Sequence, residues 1–88
     1  MYSYANQRAE VFSESGQVIF LKVRDNARRL FKLAGAVRMT ELVADCSGSN
    51  WTILACVDRM EELGEIRRAD DGKCATQNQV YVRGSLPL

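Results

Sequence analysis

The chain has 88 residues with a net charge of +1, and 47% of them are hydrophobic and 26% charged. This length allows one small domain, and this composition excludes an intrinsically disordered chain. The longest apolar run, residues 18–21, is far shorter than the ~18 residues that a membrane-spanning helix needs. Because the N-terminus also lacks the residue order of a secretory signal, we expect a cytoplasmic protein with no membrane segment.

The chain has three cysteines, Cys46, Cys56 and Cys74, and no histidine. No two cysteines have the spacing of a structural zinc site, so we expect reduced thiols, with Cys46 and Cys56 as small core residues. There is no glycine-rich phosphate loop and no recognisable nucleophile motif. We therefore expect a protein without cofactor or metal that is not an enzyme.

The first half of the chain combines an unassigned segment with one helical pattern. Residues 1–17 end in a polar break, and two interpretations stay open: a partly ordered arm, or an element that docks on a second copy of the protein. A helix over residues 18–34 is predicted by apolar positions at spacings of three and four, although residues 18–21 alone also fit a short strand. These positions are Phe20, Val23, Ala27, Leu30 and Ala34.

Positive charge is concentrated around that helix. Six basic residues and one acid, Asp25, lie between Lys22 and Arg38, which is a local net charge of +5. Arg28, Arg29 and Lys32 either bind phosphates or form an ordinary solvated helix face; the sequence leaves both interpretations open.

The second half predicts two helices and a hairpin. Residues 37–39 alternate like a short edge strand, and Thr40 is the predicted N-cap of a helix of about two turns that Ser47 and Gly48 interrupt. Ser49 caps the next helix, which Gly64 ends. Its core-facing positions are Ile53, Cys56, Val57, Met60 and Leu63, and its other side carries Asn50, Trp51, Leu54, Ala55, Asp58, Arg59 and Glu62.

Residues 66–69 and 79–83 are predicted strands, and an Asp-Gly pair at 71–72 between them is a strong hairpin signal. Residues 84–88, which hold the only proline, are the predicted tail.

The pattern over residues 35–43, 47–53, 57–68 and 80–82 resembles a winged helix-turn-helix domain. The resemblance implies an α+β fold over residues 18–83, with a three-helix core and a C-terminal β-hairpin wing, preceded by the arm 1–17 and followed by the tail 84–88. It implies sequence-specific double-stranded DNA binding, typical of a transcriptional regulator, with helix 49–63 in the major groove and hairpin 66–83 as wing.

Carried over position by position, the resemblance assigns DNA contacts. Asn50 would pair with adenine, Arg59 would reach guanine or phosphate, and the Ser49 and Thr52 hydroxyls would bond phosphates. Arg67, Arg68 and Lys73 would belong to the wing. The full set is Arg38, Ser49, Asn50, Trp51, Thr52, Ala55, Arg59, Arg67, Arg68 and Lys73.

A second hypothesis is a protein–protein interaction module. Helix 49–63 carries one basic residue and three acids, a net charge of −2, which is unusual for a helix that approaches phosphates. In this hypothesis Trp51, Leu54 and Ala55 form an apolar face for a partner chain, and Trp51 alternatively anchors the turn helices together. A homodimer and a separate protein partner both remain open.

Overall fold

The computed structural model describes residues 2–69 and 78–88. Within them the chain forms four helices and a three-stranded antiparallel sheet in the order β1-β3-β2, so the α+β class is confirmed. In chain order the elements are α1 (Tyr4–Val11), α2 (Glu14–Phe31), β1 (Ala36–Arg38), α3 (Met39–Leu42), α4 (Asn50–Leu63), β2 (Ile66–Arg68) and β3 (Val80–Arg83). None of these helices is long and apolar enough to cross a bilayer.

Residues 4–11, for which the sequence leaves an arm or a docking element open, form α1 and pack mainly against α4 of the same chain. Val11 is fully buried there. The α1–α2 junction is very close, because a Cβ atom at Gly16 would overlap the carbonyl oxygen of Glu10. Only glycine fits at this crossing, so α2 begins under α1 and the domain boundary expected at residues 17–18 falls inside α2.

The long helix α2 begins earlier than predicted, since the Ser13 hydroxyl accepts a hydrogen bond from the Gly16 amide at 3.0 Å. Residues 18–21 are therefore helical, and the strand alternative is wrong. The predicted core positions Phe20, Val23 and Ala27 are buried, while Ala34 lies beyond the end of the helix and is exposed.

The helix predicted from Thr40 is shorter than expected. It begins at Met39, with Arg38 rather than Thr40 at the N-cap, and it completes only one turn. The reason lies in α2, where the buried Asn26 amide donates to the carbonyl oxygens of Leu42 and Ala44, both at 3.0 Å. These bonds satisfy carbonyls that a longer helix would have paired internally, so the chain turns there towards α4.

Helix α4 follows the sequence prediction closely on its core side. Ser49 is the N-cap, although its side chain makes no capping hydrogen bond, and Gly64 ends the helix with φ of 84°. A residue with a side chain is strained in that left-handed conformation. Ile53, Cys56, Val57 and Met60 are buried as predicted.

The predicted hairpin strands pair antiparallel as β2 and β3, and the third strand β1 pairs with the other edge of β3. Arg68, Tyr81 and Val37 are in register across the sheet on its inner face; Arg67, Val82 and Ala36 are in register on the outer face. The predicted Asp-Gly turn and the wing residue Lys73 lie outside the described residues. Residues 84–88 are held to the fold, since the Leu86 amide donates to the Gly64 carbonyl oxygen at 3.0 Å.

A buried ion pair also joins the elements. Arg24 on α2 binds Glu65, which lies in the turn between α4 and β2, and Glu65 is buried. No local pattern in the sequence indicates this pairing, because the two residues are far apart along the chain.

We predict that Asn26→Ala lowers the free energy of unfolding by about 2 kcal/mol, because one buried and one partly buried carbonyl lose their donor. Urea unfolding followed by circular dichroism measures this change. The matched control is Asn6→Ala, which removes an exposed asparagine from α1 and is expected to stay within about 0.5 kcal/mol of the parent. Equal stability of the two variants would contradict the role assigned to Asn26.

Candidate nucleic-acid interface

An open groove of about 560 Å³ lies between α3 and the start of α4. It brings together Ser49, Asn50 and Trp51, which are three of the predicted DNA contacts. Thr40 of α3 lines the other side of the groove. The remaining lining is mostly apolar and consists of Met39, Val43, Cys46, Ile53 and Leu54. The exposed Asn50 and Trp51 at the start of α4 thus lie beside the exposed Thr40 of α3.

Trp51 is the most prominent side chain of this surface, with 46% of it exposed. One side of its ring is covered by Tyr2, whose ring stacks on it with centroids 5.6 Å apart and planes 24° from parallel. The Tyr2 hydroxyl donates to Asp58, which lies further along α4. Trp51 therefore joins the N-terminal segment to α4 and still presents a free edge to solvent.

The acids of α4 are all held by groups of the same chain. Glu62 accepts from Arg59 at 2.7 Å and from the Tyr4 hydroxyl at 2.9 Å, and Arg8 of α1 lies 3.4 Å away. Arg68 of β2 pairs with Glu61 at 3.2 Å and Asp58 at 3.7 Å. The charge of −2 counted on this helix already includes Arg59, and it is compensated by Arg8 of α1 and Arg68 of β2.

The same contacts change the ionisation of these groups. The hydrogen bond from Arg59, followed by that from Tyr4, lowers the pKa of Glu62 to about 2. Burial raises the pKa of Asp58, although the Tyr2 hydroxyl and Arg68 oppose that change. Burial also raises the pKa of Tyr2, and its hydrogen bond to Asp58 acts in the same direction.

Two of the predicted DNA contacts take part in ion pairs within the protein. Arg59 pairs with Glu62 and lies over the Phe12 ring, 5.2 Å from its centroid. Arg68 points from the inner face of the sheet towards the acids of α4. Both guanidinium groups are paired with carboxylates of α4 at the protein surface, so a DNA contact by either one would compete with an ion pair of the fold.

Two further residues of the predicted DNA-contact set are buried. Ala55 is 0% exposed, and Thr52 is also buried. The sequence analysis places Ala55 on the outer side of α4 and has both residues facing DNA, but α1 covers that side of the helix. Neither residue lies on the surface, and the apolar face proposed for a protein partner is reduced to Trp51 and Leu54.

Arg38 and Arg67 are exposed on the outer face of the sheet. Arg38 is opposite Val80 and Arg67 is opposite Val82, so the two arginines flank strand β3 from its two edges. Since Arg67 and Arg68 alternate between faces, only Arg67 of this pair extends outward.

Sequence reasoning missed the contribution of the N-terminal segment. Tyr2, Tyr4 and Arg8 all contact α4, and the only signal was the two tyrosines ahead of a polar break. Tyrosine combines a large apolar ring with a hydroxyl that seeks a partner, so two of them in a short segment favour docking on a polar–apolar surface.

Cys46 and Cys56 behave differently in this region. Cys56 is fully buried under α2, and burial raises its thiol pKa to about 12. Cys46 is only partly buried and lines the groove, and burial raises its pKa as well. Both thiols are free, which agrees with the reduced state that the sequence predicts for them, and Cys74 lies outside the described residues.

Comparison of the chain with models of known protein families, with curated proteins and with solved structures finds no match.

We predict that Glu62→Gln flattens the pH dependence of stability in acid. Because the pKa of Glu62 is lower in the folded chain than its ordinary value of 4.5, its contribution to stability is present above pH 4.5 and is lost as pH falls towards 2. Urea unfolding across this pH range measures the change in slope.

The companion variant is Tyr4→Phe, which keeps the Glu62 charge and removes one hydrogen bond to it. We expect its slope to lie between those of the parent and Glu62→Gln. If Glu62→Gln shows the same dependence of stability on pH as the parent, other groups are responsible for the acid sensitivity.

Proposed function

We propose that this chain binds double-stranded DNA as a small winged-helix protein that regulates transcription, with the first turn of α4 in the major groove. The observation that carries the proposal is that the exposed Asn50 and Trp51 at the start of α4 lie beside the exposed Thr40 of α3. In helix-turn-helix proteins the N-terminal residues of the second helix reach base edges while neighbouring elements contact phosphates.

The order of elements supports the winged-helix part of the proposal. From α2 onward the chain runs helix, strand, short helix, longer helix and two-stranded hairpin, with the first strand added to the edge of that hairpin. This arrangement leaves the start of α4 and the outer sheet face on the surface. The extra helix α1 lies outside the pattern and restricts how much of α4 DNA can reach.

The ion pairs of the α4 acids reduce the repulsion that would otherwise oppose the binding of α4 to DNA. Free carboxylates near phosphates would repel DNA, but each acid of α4 has an arginine partner within 4 Å. The acids also lie in the later turns, and the first turn carries only Asn50, Trp51 and Thr52. The helix end assigned to DNA is therefore uncharged and has free amide donors, which favour a phosphate or a base edge.

The proposed contact set is smaller than the one the sequence suggests. Asn50 reads a base edge, the free edge of Trp51 packs on sugar and phosphate, and Ser49 bonds a phosphate. Arg38 and Arg67 supply phosphate contacts from the sheet. Among the other assigned residues that the structure describes, Thr52 and Ala55 pack in the interior, and Arg59 and Arg68 pair with the acids of α4.

Fluorescence anisotropy with a labelled mixed-sequence duplex tests general DNA affinity across a salt series from about 50 to 200 mM. We expect the logarithm of affinity to fall linearly with the logarithm of salt concentration, and Arg38→Gln and Arg67→Gln each to reduce the slope by about one. Lys32→Gln is the matched control, since it removes one positive charge from the exposed C-cap of α2, outside the sheet.

The absence of binding at low salt, with protein well above the ~10⁻⁴ M limit of ordinary non-specific affinity, would reject the proposal. Equal slopes for all three charge variants would reject the sheet contacts while leaving general binding in place.

Recognition of a specific DNA sequence is tested separately, with a duplex selected from a random pool for tight binding to this protein. We expect Asn50→Ala to weaken binding to the selected duplex by about 10- to 100-fold, because a bidentate amide–adenine pair is lost. Binding to a scrambled duplex is expected to change little. Asn6→Ala on α1 serves as control, and loss of affinity on both duplexes alike would contradict base reading by Asn50.

A second candidate function is favoured by the apolar lining of the groove beside Trp51. In this candidate the groove receives apolar side chains of a partner protein, with Trp51 as the anchor. The test is an affinity column that carries the immobilised chain. The candidate would be supported if the chain does not bind DNA, and if the parent column retains a partner protein that a Trp51→Ala column does not retain.

A further inference from the structure

The outer face of α2 carries two exposed aliphatic side chains that the proposed function does not use. Val18 is 66% exposed and Leu21 is 61% exposed, and they lie one turn apart in the N-terminal half of the helix. The stripe formed by Phe20, Val23 and Ala27 is buried against the fold, so the two aliphatic residues point away from it.

Charged residues flank this pair in a symmetrical pattern. Positions 14, 18, 21, 25 and 28 follow one another at spacings of four and three, which makes them a single stripe of the helix surface. Glu14 stands at one end of the stripe and Arg28 at the other, and both are exposed. Neither takes part in an ion pair within residues 2–69 and 78–88.

We propose that a second copy of this chain docks on this stripe, with the two α2 helices antiparallel about a two-fold axis at Leu21. Leu21 of each copy then meets Leu21 of the other, and Glu14 of each copy meets Arg28 of the other. Val18 lies beside the methylene group of Asp25 across the axis. Because of the two-fold axis, every contact between the two copies occurs twice. The Glu14–Arg28 pairs make the two stripes complementary in that arrangement.

Charge complementarity identifies the occupant. The stripe has Glu14 at one end and Arg28 at the other, with Val18, Leu21 and Asp25 between them. Antiparallel pairing places each Glu14 against the Arg28 of the other copy, and Asp25 stays one turn from Arg28 of its own chain. A uniformly acidic or basic partner would meet repulsion at one end. The stripe spans about 21 Å from Glu14 to Arg28 at 1.5 Å per residue, a small contact. The dimer is accordingly weak and dependent on concentration.

This interface leaves the proposed DNA surface free, because α2 faces the fold with its buried stripe of Phe20, Val23 and Ala27, while Val18 and Leu21 are exposed. It does not involve α1, which lies on α4 of its own chain, and Glu14 is the residue of the segment 1–17 that takes part. Self-association is measured without DNA. A negative result would therefore reject the dimer and would leave the proposed DNA binding untouched.

Analytical ultracentrifugation of the full chain over a concentration series measures the association. We expect the average mass to rise with concentration from 9.9 kDa towards twice that value. Leu21→Glu is expected to raise the dissociation constant at least about tenfold, because two buried leucines are lost and two carboxylates face each other. Leu33→Glu is the matched control, since Leu33 is 82% exposed and lies beyond the end of α2.

Charge reversal tests the antiparallel register. Glu14→Arg and Arg28→Glu are each expected to weaken self-association, because each places like charges at both ends of the stripe. An equimolar mixture of the two variants is expected to restore association. In the mixed dimer the arginine introduced at position 14 of one copy meets the glutamate introduced at position 28 of the other, and the native Glu14 meets the native Arg28. Thermal unfolding by circular dichroism checks that each variant is folded.

A parent protein that stays at 9.9 kDa at every concentration would overturn the proposal. Equal weakening by Leu21→Glu and Leu33→Glu would also overturn it, and so would a mixture that associates no better than its components.

Discussion

The close packing of α4 between α1 and α2 is the constraint on which the rest of the structure depends. Helices approach closely only where the side chains between them are small, and Ala55 and Cys56 supply this on α4 while Gly16 supplies it on α2. The Cys56 thiol donates to the Gly16 carbonyl oxygen at 3.5 Å, which shows how near the two backbones lie. A larger residue at Ala55 or Cys56 would push α1 or α2 away from α4, and a larger residue at Gly16 would push α1 and α2 apart.

This packing decides which surface remains available for function. With α1 against one side of α4 and α2 against another, the later turns are covered and their acids pair with arginines of α1, α4 and β2. Only the first turn, with Asn50 and Trp51, stands clear beside α3. The fold thus separates a structural, ion-paired end of α4 from an uncharged exposed end.

The parts of this structure that follow from the sequence are those governed by local patterns. The core side of α4 follows from its three-and-four spacing and Gly64, and the hairpin strands follow from alternation in residues 79–83. The failures have non-local causes. Helix α3 ends early because Asn26, in another helix, binds its carbonyls, and Ala55 is small enough to fit either a surface or a helix contact. Helix α1 escapes prediction because only Val11 is buried, so it shows no apolar period of its own.

The candidate site was predictable to a similar extent. Asn50 and Trp51 can be identified because they follow directly from an N-cap, a local signal, and both are exposed as expected. The resemblance assigns Arg59 and Arg68 to DNA, and the sequence alone shows no internal partner for either side chain. Their partners, Glu62, Glu61 and Asp58, become neighbours only when the helix forms and β2 packs against it.

The low net charge connects the two proposals. A protein with a net charge of +1 and two outward-facing arginines on the sheet makes few phosphate contacts, and affinity for DNA rises with the number of such contacts. A weak dimer through α2 would double the contacts on one duplex, because the second α4 binds at the high effective concentration set by the first. Self-association and DNA affinity would then reinforce each other through linkage, and a protein of modest charge would bind a two-fold site more tightly than either copy binds alone.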